Sequence, residues 1–382
     1  MTAGRAALLT PAGRGAIASL LVEHAVNLID QQQLFTAINN QPLAQQPLNR
    51  ICPGLWGRKD GRHSTEQIVA CRTSETRVEL HCHGGPAATR RILEDLAEVG
   101  IDRCEWTELV GLAEEPSHSQ LGVELDQALA ATTTWQAAAV LLDQRSGLLV
   151  GALQRLATVD WEARHQVAGE LAGLLEWTDL GLHLARPWSV VLAGPPNVGK
   201  SSLLNALLGY GRAIVWDQPG TTRDVVTGST ALDGWAIQLS DTAGLRTTRD
   251  QLEAAGVDHA RQRLATADLV VLVVDRSNRL DDQARALLAE HPSALVVANK
   301  SDLDDAVDQF IPETALPVSA LTGEGVAELA DAILERLLPR RPEPGTAVPI
   351  SARLVKHLQQ AEEAIHEDDE PAYRAATDAC LR

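Results

Sequence analysis

A complete phosphate-binding loop stands at residues 194–201, which read Gly194-Pro195-Pro196-Asn197-Val198-Gly199-Lys200-Ser201. The apolar stretch from Trp188 to Ala193 predicts a buried strand before the loop, and Ser202 to Leu208 predicts the first turns of a helix after it. Glycine lets backbone N–H groups turn inward around a phosphate at the positive end of that helix. Lys200 can then reach the β- and γ-phosphates, and the Ser201 hydroxyl can ligate Mg²⁺. The candidate nucleotide-binding residues of this loop are Asn197, Val198, Gly199, Lys200, Ser201 and Ser202.

Two segments after the loop are placed to bind the metal and the terminal phosphate. Gly220-Thr221-Thr222-Arg223-Asp224 lies where a switch segment would place Thr222 on Mg²⁺. A predicted strand then delivers Asp241-Thr242-Ala243-Gly244. Asp241 can hold the Mg²⁺ shell, and the Gly244 N–H can contact the γ-phosphate.

The last two motifs indicate recognition of guanine. Asn299-Lys300-Ser301-Asp302 follows an apolar strand, and Ser319-Ala320 occupies the usual last base-contacting loop. A carboxylate at Asp302 accepts hydrogen bonds from guanine N1–H and the exocyclic amine, whereas adenine offers no matching donors. Asn-Lys-x-Asp alone is more often a helix-capping turn, but four motifs in this order, each after a strand, predict GTP binding. The candidate residues are Asp241, Gly244, Asn299, Lys300, Asp302, Ser319 and Ala320.

The spacing of these motifs predicts an α/β fold. Strands and helices alternate from about Pro187 to Leu338, the signature of a doubly wound, mostly parallel sheet. The helical apolar spacing from Leu121 to Leu184 predicts two or three packed helices, and Ser351 to Ala364 and Glu370 to Leu381 predict two final helices that return to pack on them. The predicted strands of the sheet are 188–193, 231–240, 269–275, 294–298 and 316–319.

The first 116 residues have a mixed pattern that predicts an α+β unit. We expect strands at 6–10, 17–22, 67–72 and 77–83, a helix at 87–99, and a loop at 36–50 because that stretch is polar and glutamine-rich. The predicted domains are therefore an N-terminal α+β domain (1–116), a first helical part (117–185), a G domain (186–340) inserted in the helical domain, and a C-terminal helical part (341–382).

Composition narrows the class of protein. The 382 residues are 45% hydrophobic and carry a net charge of −18, which argues against a broad nonspecific nucleic-acid surface. No long apolar run or signal pattern occurs, so we expect a cytoplasmic chain without a membrane span. Five cysteines without CxxC pairing predict reduced thiols. His81 and His83 lie on one face of a predicted strand, with Cys71 nearby, so a metal site is one possible interpretation. The favoured alternative is a strand end that leads into the Gly84-Gly85 turn.

The motifs resemble those of the tRNA modification GTPases of the MnmE (TrmE) family. The matching segments are Gly194 to Asn205, Ile214 to Asp224, Asp241 to Arg246 and Ser319 to Gly325, and the order of domains is similar. Near the start, Thr10 to Ile17 and His83-Gly84-Gly85 look like the family's folate-binding N-terminal domain. The resemblance spans the chain and is sharpest from Trp188 to Leu329.

The resemblance implies cofactors, partners and catalytic residues. Leu245 stands where Ras-like enzymes have a water-orienting glutamine, and the family uses K⁺, here bound by Asn197, together with a water-activating glutamate that matches Glu253. Catalysis is thus expected to involve Glu253, Lys200 and Thr222, with Mg²⁺ on Ser201 and Thr222. A homodimer, a flavoprotein partner, tRNA and a tetrahydrofolate derivative in the N-terminal domain are also implied.

The C-terminal end departs from the family pattern. Family members carry a Cys-Ile-Gly-Lys motif there, whereas this sequence reads Ala379-Cys380-Leu381-Arg382, and Cys380 is expected to be a helix-face residue. Three functions therefore stay open: a GTPase of tRNA wobble-uridine modification, an Era- or Der-like regulatory or ribosome-assembly GTPase, and a paralogue that no longer supports modification.

Overall fold

The computed structural model describes residues 4–10, 15–57, 66–110, 119–210, 227–241, 262–306 and 311–381. The chain forms two compact units, Met1–Ser119 and Gln120–Arg382. The stretches predicted as a helical domain and the nucleotide-binding motifs both belong to the second unit.

The first unit is built on a seven-stranded sheet in the order β3-β4-β5-β6-β2-β1-β7. Neighbours pair antiparallel except β1 and β7, which are parallel. Trp56 lies fully buried in its core, and its indole N–H donates to Asp95 Oδ2 at 2.9 Å. The elements are β1 (Arg5–Leu8), β2 (Ile17–Glu23), α1 (Val26–Gln31), β3 (Phe35–Ala37), β4 (Ile51–Trp56), β5 (Glu66–Arg72), β6 (Arg77–His83), α2 (Pro86–Glu98), β7 (Asp102–Arg103) and α3 (Trp106–Val110).

The sequence predictions for this unit are incomplete. The predicted loop at 36–50 is confirmed over most of its length, apart from the last two residues of β3 and a short 3₁₀ turn, Leu43–Gln45. Strand β4 was not predicted, because Pro53 and Gly54 are unusual inside a strand. Gly54 is required by packing, since a Cβ there would lie 2.4 Å from the Phe35 ring.

The sheet of the second unit carries the nucleotide-binding motifs. Its order is β13-β12-β11-β8-β10-β9, with every pair parallel except the antiparallel pair β9–β10. This is the predicted doubly wound, mostly parallel sheet. Helices α4 to α8 precede this sheet in the chain and are described below. The elements of the sheet region are β8 (Trp188–Ala193), α9 (Lys200–Tyr210), β9 (Thr227–Leu232), β10 (Trp235–Asp241), β11 (Leu269–Asp275), α10 (Asp282–Glu290), β12 (Leu295–Asn299), β13 (Leu316–Val318) and α11 (Val326–Leu337).

One predicted strand of this sheet is wrong. The stretch 231–240 is not a single strand but parts of β9 and β10, joined by a tight turn at Asp233-Gly234. Both turn residues have positive φ, 43° and 81°, the combination that a two-residue hairpin turn requires. The Asp-Gly pair was the signal for this hairpin.

Helices pack beside the sheet in the same unit. The stretch predicted as two or three helices forms five, because Thr132 to Thr134, Gly147, Val159-Asp160 and Glu176-Trp177 interrupt it. The two final helices return to pack on α6 and α7, as predicted. The helices are α4 (Gln120–Ala131), α5 (Trp135–Arg145), α6 (Leu148–Thr158), α7 (Arg164–Leu175), α8 (Thr178–His183), α12 (Ala352–His366) and α13 (Glu370–Leu381).

The segment between α11 and α12 is fastened to the helices. The buried Gln144 side chain donates to the Thr346 carbonyl at 3.0 Å and accepts from Val348 N at 3.1 Å. Gly181 on α8 lies against Pro349, where a Cβ would come within 1.8 Å of the carbonyl oxygen. These contacts hold the chain where it leaves the sheet and returns to the helices.

A buried histidine fixes the other crossing between helices and sheet. His183, at the end of α8, stacks on Trp188 at the start of β8, with ring centroids 3.6 Å apart. His183 Nε2 lies 3.1 Å from Asp268 Oδ2, which also accepts from Ser189 N at 2.7 Å. Burial opposes ionisation of Asp268, but these hydrogen bonds outweigh it and hold the pKa of its carboxyl below the usual value.

The Gly181 contact yields a matched stability test. We expect Gly181→Ala to lower the free energy of unfolding by about 1–3 kcal/mol, because the added methyl group must displace a backbone carbonyl. Gly173→Ala, on the neighbouring helix α7, introduces a Cβ with no atom within 4 Å and should be neutral or stabilising by up to ~1 kcal/mol. The measurement is the urea midpoint of each variant; equal midpoints for the two variants would contradict the packing described here.

Candidate functional site

The carboxyl ends of four strands lie at one edge of the second sheet. Because β8, β10, β11 and β12 run parallel in neighbouring positions, their carboxyl ends lie at the same edge. The segments that follow β8, β10 and β12 are the phosphate loop, the Asp241 motif and the Asn299 motif. The sheet thus brings together motifs that are about a hundred residues apart in sequence.

The phosphate loop is closed around the side chain of its own lysine. Lys200 is buried, and its ammonium donates to the carbonyls of Gly194 at 2.9 Å and Pro195 at 2.7 Å. The lysine side chain therefore bridges the loop from within. Phosphate oxygens are stronger acceptors for an ammonium than carbonyls are, because they are charged.

Two glycines of the loop are required by space as well as by backbone angle. Gly194 has φ 146°, and a Cβ there would lie 2.2 Å from the Val273 carbonyl oxygen. Gly199 has φ 95°, and its Cβ would lie 2.2 Å from Asn299 Nδ2. Close approach to two other strands thus explains why the motif needs glycine at both positions.

The metal-binding candidates lie next to each other. The Ser201 hydroxyl, in the first turn of α9, donates to Asp241 Oδ2 at 2.6 Å. Asp241 ends β10, directly beside Leu192 of β8 in the parallel register. A hydroxyl and a carboxylate oxygen at this separation form a donor set that suits Mg²⁺, which takes few protein ligands and completes its shell with phosphate and water.

Asn299 connects the phosphate loop to the last loop of the site. Its side chain is buried, donates from Nδ2 to the Val198 carbonyl at 2.7 Å, and accepts at Oδ1 from Ala320 N at 3.1 Å. One amide therefore ties together three loops that are distant in sequence. This predicted guanine-site residue also has a structural role, because it connects the loops of the site.

Lys300 is held by an aspartate that sequence reasoning missed. Its ammonium lies 2.6 Å from Asp275 Oδ2, and Asp275 also accepts hydrogen bonds from Ser277 and Asn278. Burial opposes ionisation of Asp275, but these donors outweigh it and hold the pKa of its carboxyl below the usual value. Its position at the carboxyl end of β11, beside the other motif-bearing strands, was the signal that could have identified it.

The base-recognition candidates also contact each other. The buried Ser319 hydroxyl donates to Asp302 Oδ1 at 2.5 Å, while Asp302 itself is exposed. Among the described residues, no side chain donates to the second carboxylate oxygen, so Ser319 orients the carboxylate and leaves it open to a ligand. Its charge suits the N1–H and amino donors of guanine.

The remaining site predictions have different outcomes. Ser202 lies exposed in the first turn of α9, and Asn197 lies exposed in the loop with φ 64°. Thr222, Gly244 and Glu253 lie outside the described residues. For Glu253, Thr222 and Gly244 the assignment therefore stays a prediction.

The histidine pair of the first unit shows the strand end that the sequence favoured. His81 Nδ1 lies 2.8 Å from Ser19 Oγ, and His83 Nδ1 lies 2.5 Å from Glu66 Oε1, at the last residue of β6. Across the residues that the structure describes, no group of three or more His, Cys, Asp or Glu side chains is arranged to hold a metal.

The thiols are free, and Cys380 is inaccessible. The free cysteines are Cys52, Cys71, Cys82, Cys104 and Cys380. Cys380 lies on a helix face, as expected, and is only 1% exposed. Burial raises the pKa of its thiol to about 12, so the thiol is protonated at neutral pH and is a poor nucleophile.

No helix in the described parts of the chain is long and apolar enough to span a membrane.

Comparison with known proteins agrees with the site. Residues 189–300 match the family model described as 50S ribosome-binding GTPase. The tRNA modification GTPase MnmE of Geobacillus thermodenitrificans is 32% identical over 95% of this chain and 88% of its own length. That of Symbiobacterium thermophilum is 35% identical over 84% of this chain and 79% of its own length. The solved G domain of the T. maritima FeoB iron transporter is 30% identical over 40% of this chain, with a TM-score of 0.29.

The relatives match across both units rather than over the nucleotide-binding loops alone. In the described residues, the phosphate loop, Asp241 and the Asn299 motif lie together at one edge of the sheet. The chain therefore belongs to the tRNA modification GTPase MnmE family and is a GTP-hydrolysing enzyme.

Proposed function

We propose that this protein uses GTP binding and hydrolysis to drive modification of the wobble uridine of tRNA. The observation that supports this most directly is an assembled guanine-nucleotide site in a chain that matches relatives named for tRNA modification over nearly its full length. The Era- or Der-like alternative is not better supported, because the relatives named for tRNA modification match both units of the chain.

Binding exchanges contacts within the loop for contacts with the nucleotide. The Lys200 ammonium leaves the carbonyls of Gly194 and Pro195 and pairs with the β- and γ-phosphates. Asp302, oriented by Ser319, accepts from guanine N1–H and the amino group. ATP is rejected because adenine would leave that carboxylate without its donors.

Ser201 and Thr222 are proposed to ligate Mg²⁺, and Asp241 to hold its water shell. When bound, Mg²⁺ neutralises charge that develops on the β- and γ-phosphate oxygens. Ser201 is already directed at Asp241, at 2.6 Å. The Ser201 side chain therefore needs no change of rotamer to serve as a ligand.

Hydrolysis is proposed to use a glutamate in place of the water-orienting glutamine of Ras-like enzymes. A monovalent cation is proposed to take the place of an arginine finger. Glu253 is the proposed base that activates water, directly or through a second water. Asn197 is the proposed K⁺ ligand: its exposed side chain makes no hydrogen bond with the described residues, so its amide oxygen is available. A cation at this position would offset the negative charge that develops between the β- and γ-phosphates.

The first unit is proposed to form a homodimer through the outer face of its sheet. Alternate residues of β4 point away from the core, and Ile51 and Leu55 are 70% and 41% exposed. Ile17 on β2 is 63% exposed. Large apolar side chains on an open sheet face indicate a surface that another protein covers.

A tetrahydrofolate derivative is proposed for this domain on the resemblance of residues 10–17 and 83–85 alone.

The domain limits and the partners follow the same proposal. We place the N-terminal domain at 1–116, the helical domain at 117–185 and 341–382, and the G domain at 186–340. A flavoprotein supplies the redox part of the modification, and the complex acts on tRNA in the cytoplasm. The buried thiol of Cys380 is not assigned a step in that chemistry, since it is neither accessible nor ionised.

The cation proposal predicts a salt-specific rate. GTP hydrolysis should be roughly tenfold or more faster in KCl than in NaCl at equal ionic strength, and Asn197→Ala should remove most of that difference because it removes a ligand of the charge-neutralising ion. Asn278→Ala is the matched control: it removes another asparagine beside the site and should leave the KCl-to-NaCl ratio unchanged. Equal wild-type rates in both salts would contradict K⁺ dependence.

The modification proposal predicts a tRNA phenotype. Deletion of the gene should abolish the modified wobble uridine in digested tRNA analysed by mass spectrometry, and the wild-type chain should restore it. Lys200→Ala should fail to restore it, because the variant lacks the phosphate contact that nucleotide binding needs. Immunoblotting verifies that the variant accumulates. Unchanged wobble uridines in the deletion strain would refute the role in tRNA modification while leaving the GTPase intact.

A further inference from the structure

A cleft of about 390 Å³ lies in the second unit and shares no residue with the nucleotide site. It is bounded by the start of α5, the Asp233 turn between β9 and β10, and the segment 341–346 that leaves the sheet. Its volume is within the range of pockets that hold a small molecule or a large side chain. Nothing in the GTPase mechanism uses it.

Trp135 forms an exposed aromatic wall of this cleft. It is 77% exposed, which leaves a large indole surface in water without a packing partner. Ala139 lies one turn further along α5 and also lines the cleft, and Leu142, on the same face of the helix, is 51% exposed. The apolar surface therefore continues along α5 beyond the cleft itself.

Trp235 provides a hydrogen-bond donor without an acceptor. The residue is 5% exposed and lines the cleft. Its indole N–H donates to no atom of the residues that the structure describes. This nitrogen is not among the buried atoms that lack a partner, so it is accessible to solvent and can donate to an acceptor that a ligand brings.

The charge around the cleft is negative. Its lining includes the carboxylates of Asp143, Asp233 and Glu343 but only one cation, Arg341. Arg341 is already paired, at 2.6 Å, with Asp233. Asp143 receives only a long contact, 3.4 Å from Gly345 N. The carboxylates of Asp143 and Glu343 are therefore left without a cationic partner among the lining residues.

We propose that this cleft docks an arginine side chain presented by a partner protein. A guanidinium group stacks on an exposed tryptophan and pairs with carboxylates at its edge, which an apolar side chain cannot do. A peptide carbonyl next to the arginine accepts from the Trp235 indole N–H. The partner is a protein rather than a free small cation, because the apolar surface extends from Trp135 to Leu142, further than one side chain covers.

The test uses a fluorescein-labelled peptide, Gly-Ser-Leu-Arg-Leu-Ser-Gly, titrated with the full chain and followed by anisotropy. The same peptide with citrulline in place of arginine is the neutral isostere, and it should bind about tenfold more weakly. Trp135→Ala and the double variant Asp143→Asn/Glu343→Gln should each weaken the arginine peptide by a similar factor. The controls are Ile38→Ala, which removes an exposed apolar side chain of the other unit, and Glu335→Gln on α11; both should bind as wild type.

Three results would overturn the proposal. The first is no saturable binding of the arginine peptide, and the second is equal binding of the arginine and citrulline peptides. The third is competition by free arginine amide at the same concentration as unlabelled peptide, which would make the cleft a site for small organic cations. Because Trp135 is exposed, GTP hydrolysis by Trp135→Ala at the wild-type rate verifies that the variant is folded.

Discussion

The nucleotide site depends on the two hydrogen bonds of the Asn299 side chain. The amide donates to the phosphate loop at Val198 and accepts from the last loop at Ala320, and it lies against Gly199 so closely that no Cβ fits between them. These segments come from three different parts of the sequence, and each would otherwise cost conformational entropy to order when GTP binds. A buried amide with both ends satisfied holds them in register before the nucleotide arrives.

The other charged and polar side chains of the site also have partners within the protein. Lys200 and Lys300 both have acceptors within the protein, Ser201 lies against Asp241, and Ser319 orients Asp302. The charged groups that receive GTP are thus neither free in solvent nor buried without partners, which would be costly. In the proposed mechanism, GTP binding exchanges some of these contacts for stronger ones. The His183 contacts connect that sheet to helix α8, and Gly181 of the same helix lies against the segment that returns from the sheet to the helices.

Much of this site could be predicted from the sequence, because each motif follows an apolar strand and parallel strands end at one edge of a sheet. What the sequence could not show were contacts between segments far apart in the chain. Asp275 lacks a motif of its own, and its role appears only when β11 lies beside β12. The single strand predicted at 231–240 failed because apolar spacing was weighed above the Asp233-Gly234 turn, and β4 was missed because Pro53 and Gly54 suit a strand only where their neighbours leave room for them. Thr222, Gly244 and Glu253 stay predictions.

The most direct test of this account is amide hydrogen exchange in the nucleotide-free protein with Asn299→Ala. If the asparagine holds the loops together, exchange should accelerate both at residues 198–201 and at Ala320, because each loses its tie to the other. Asp302→Asn is the control: Asp302 contacts Ser319 but not the phosphate loop, so exchange at 198–201 should stay at the wild-type rate. Unchanged protection of the phosphate loop in Asn299→Ala would contradict the claim that this one side chain preorganises the site.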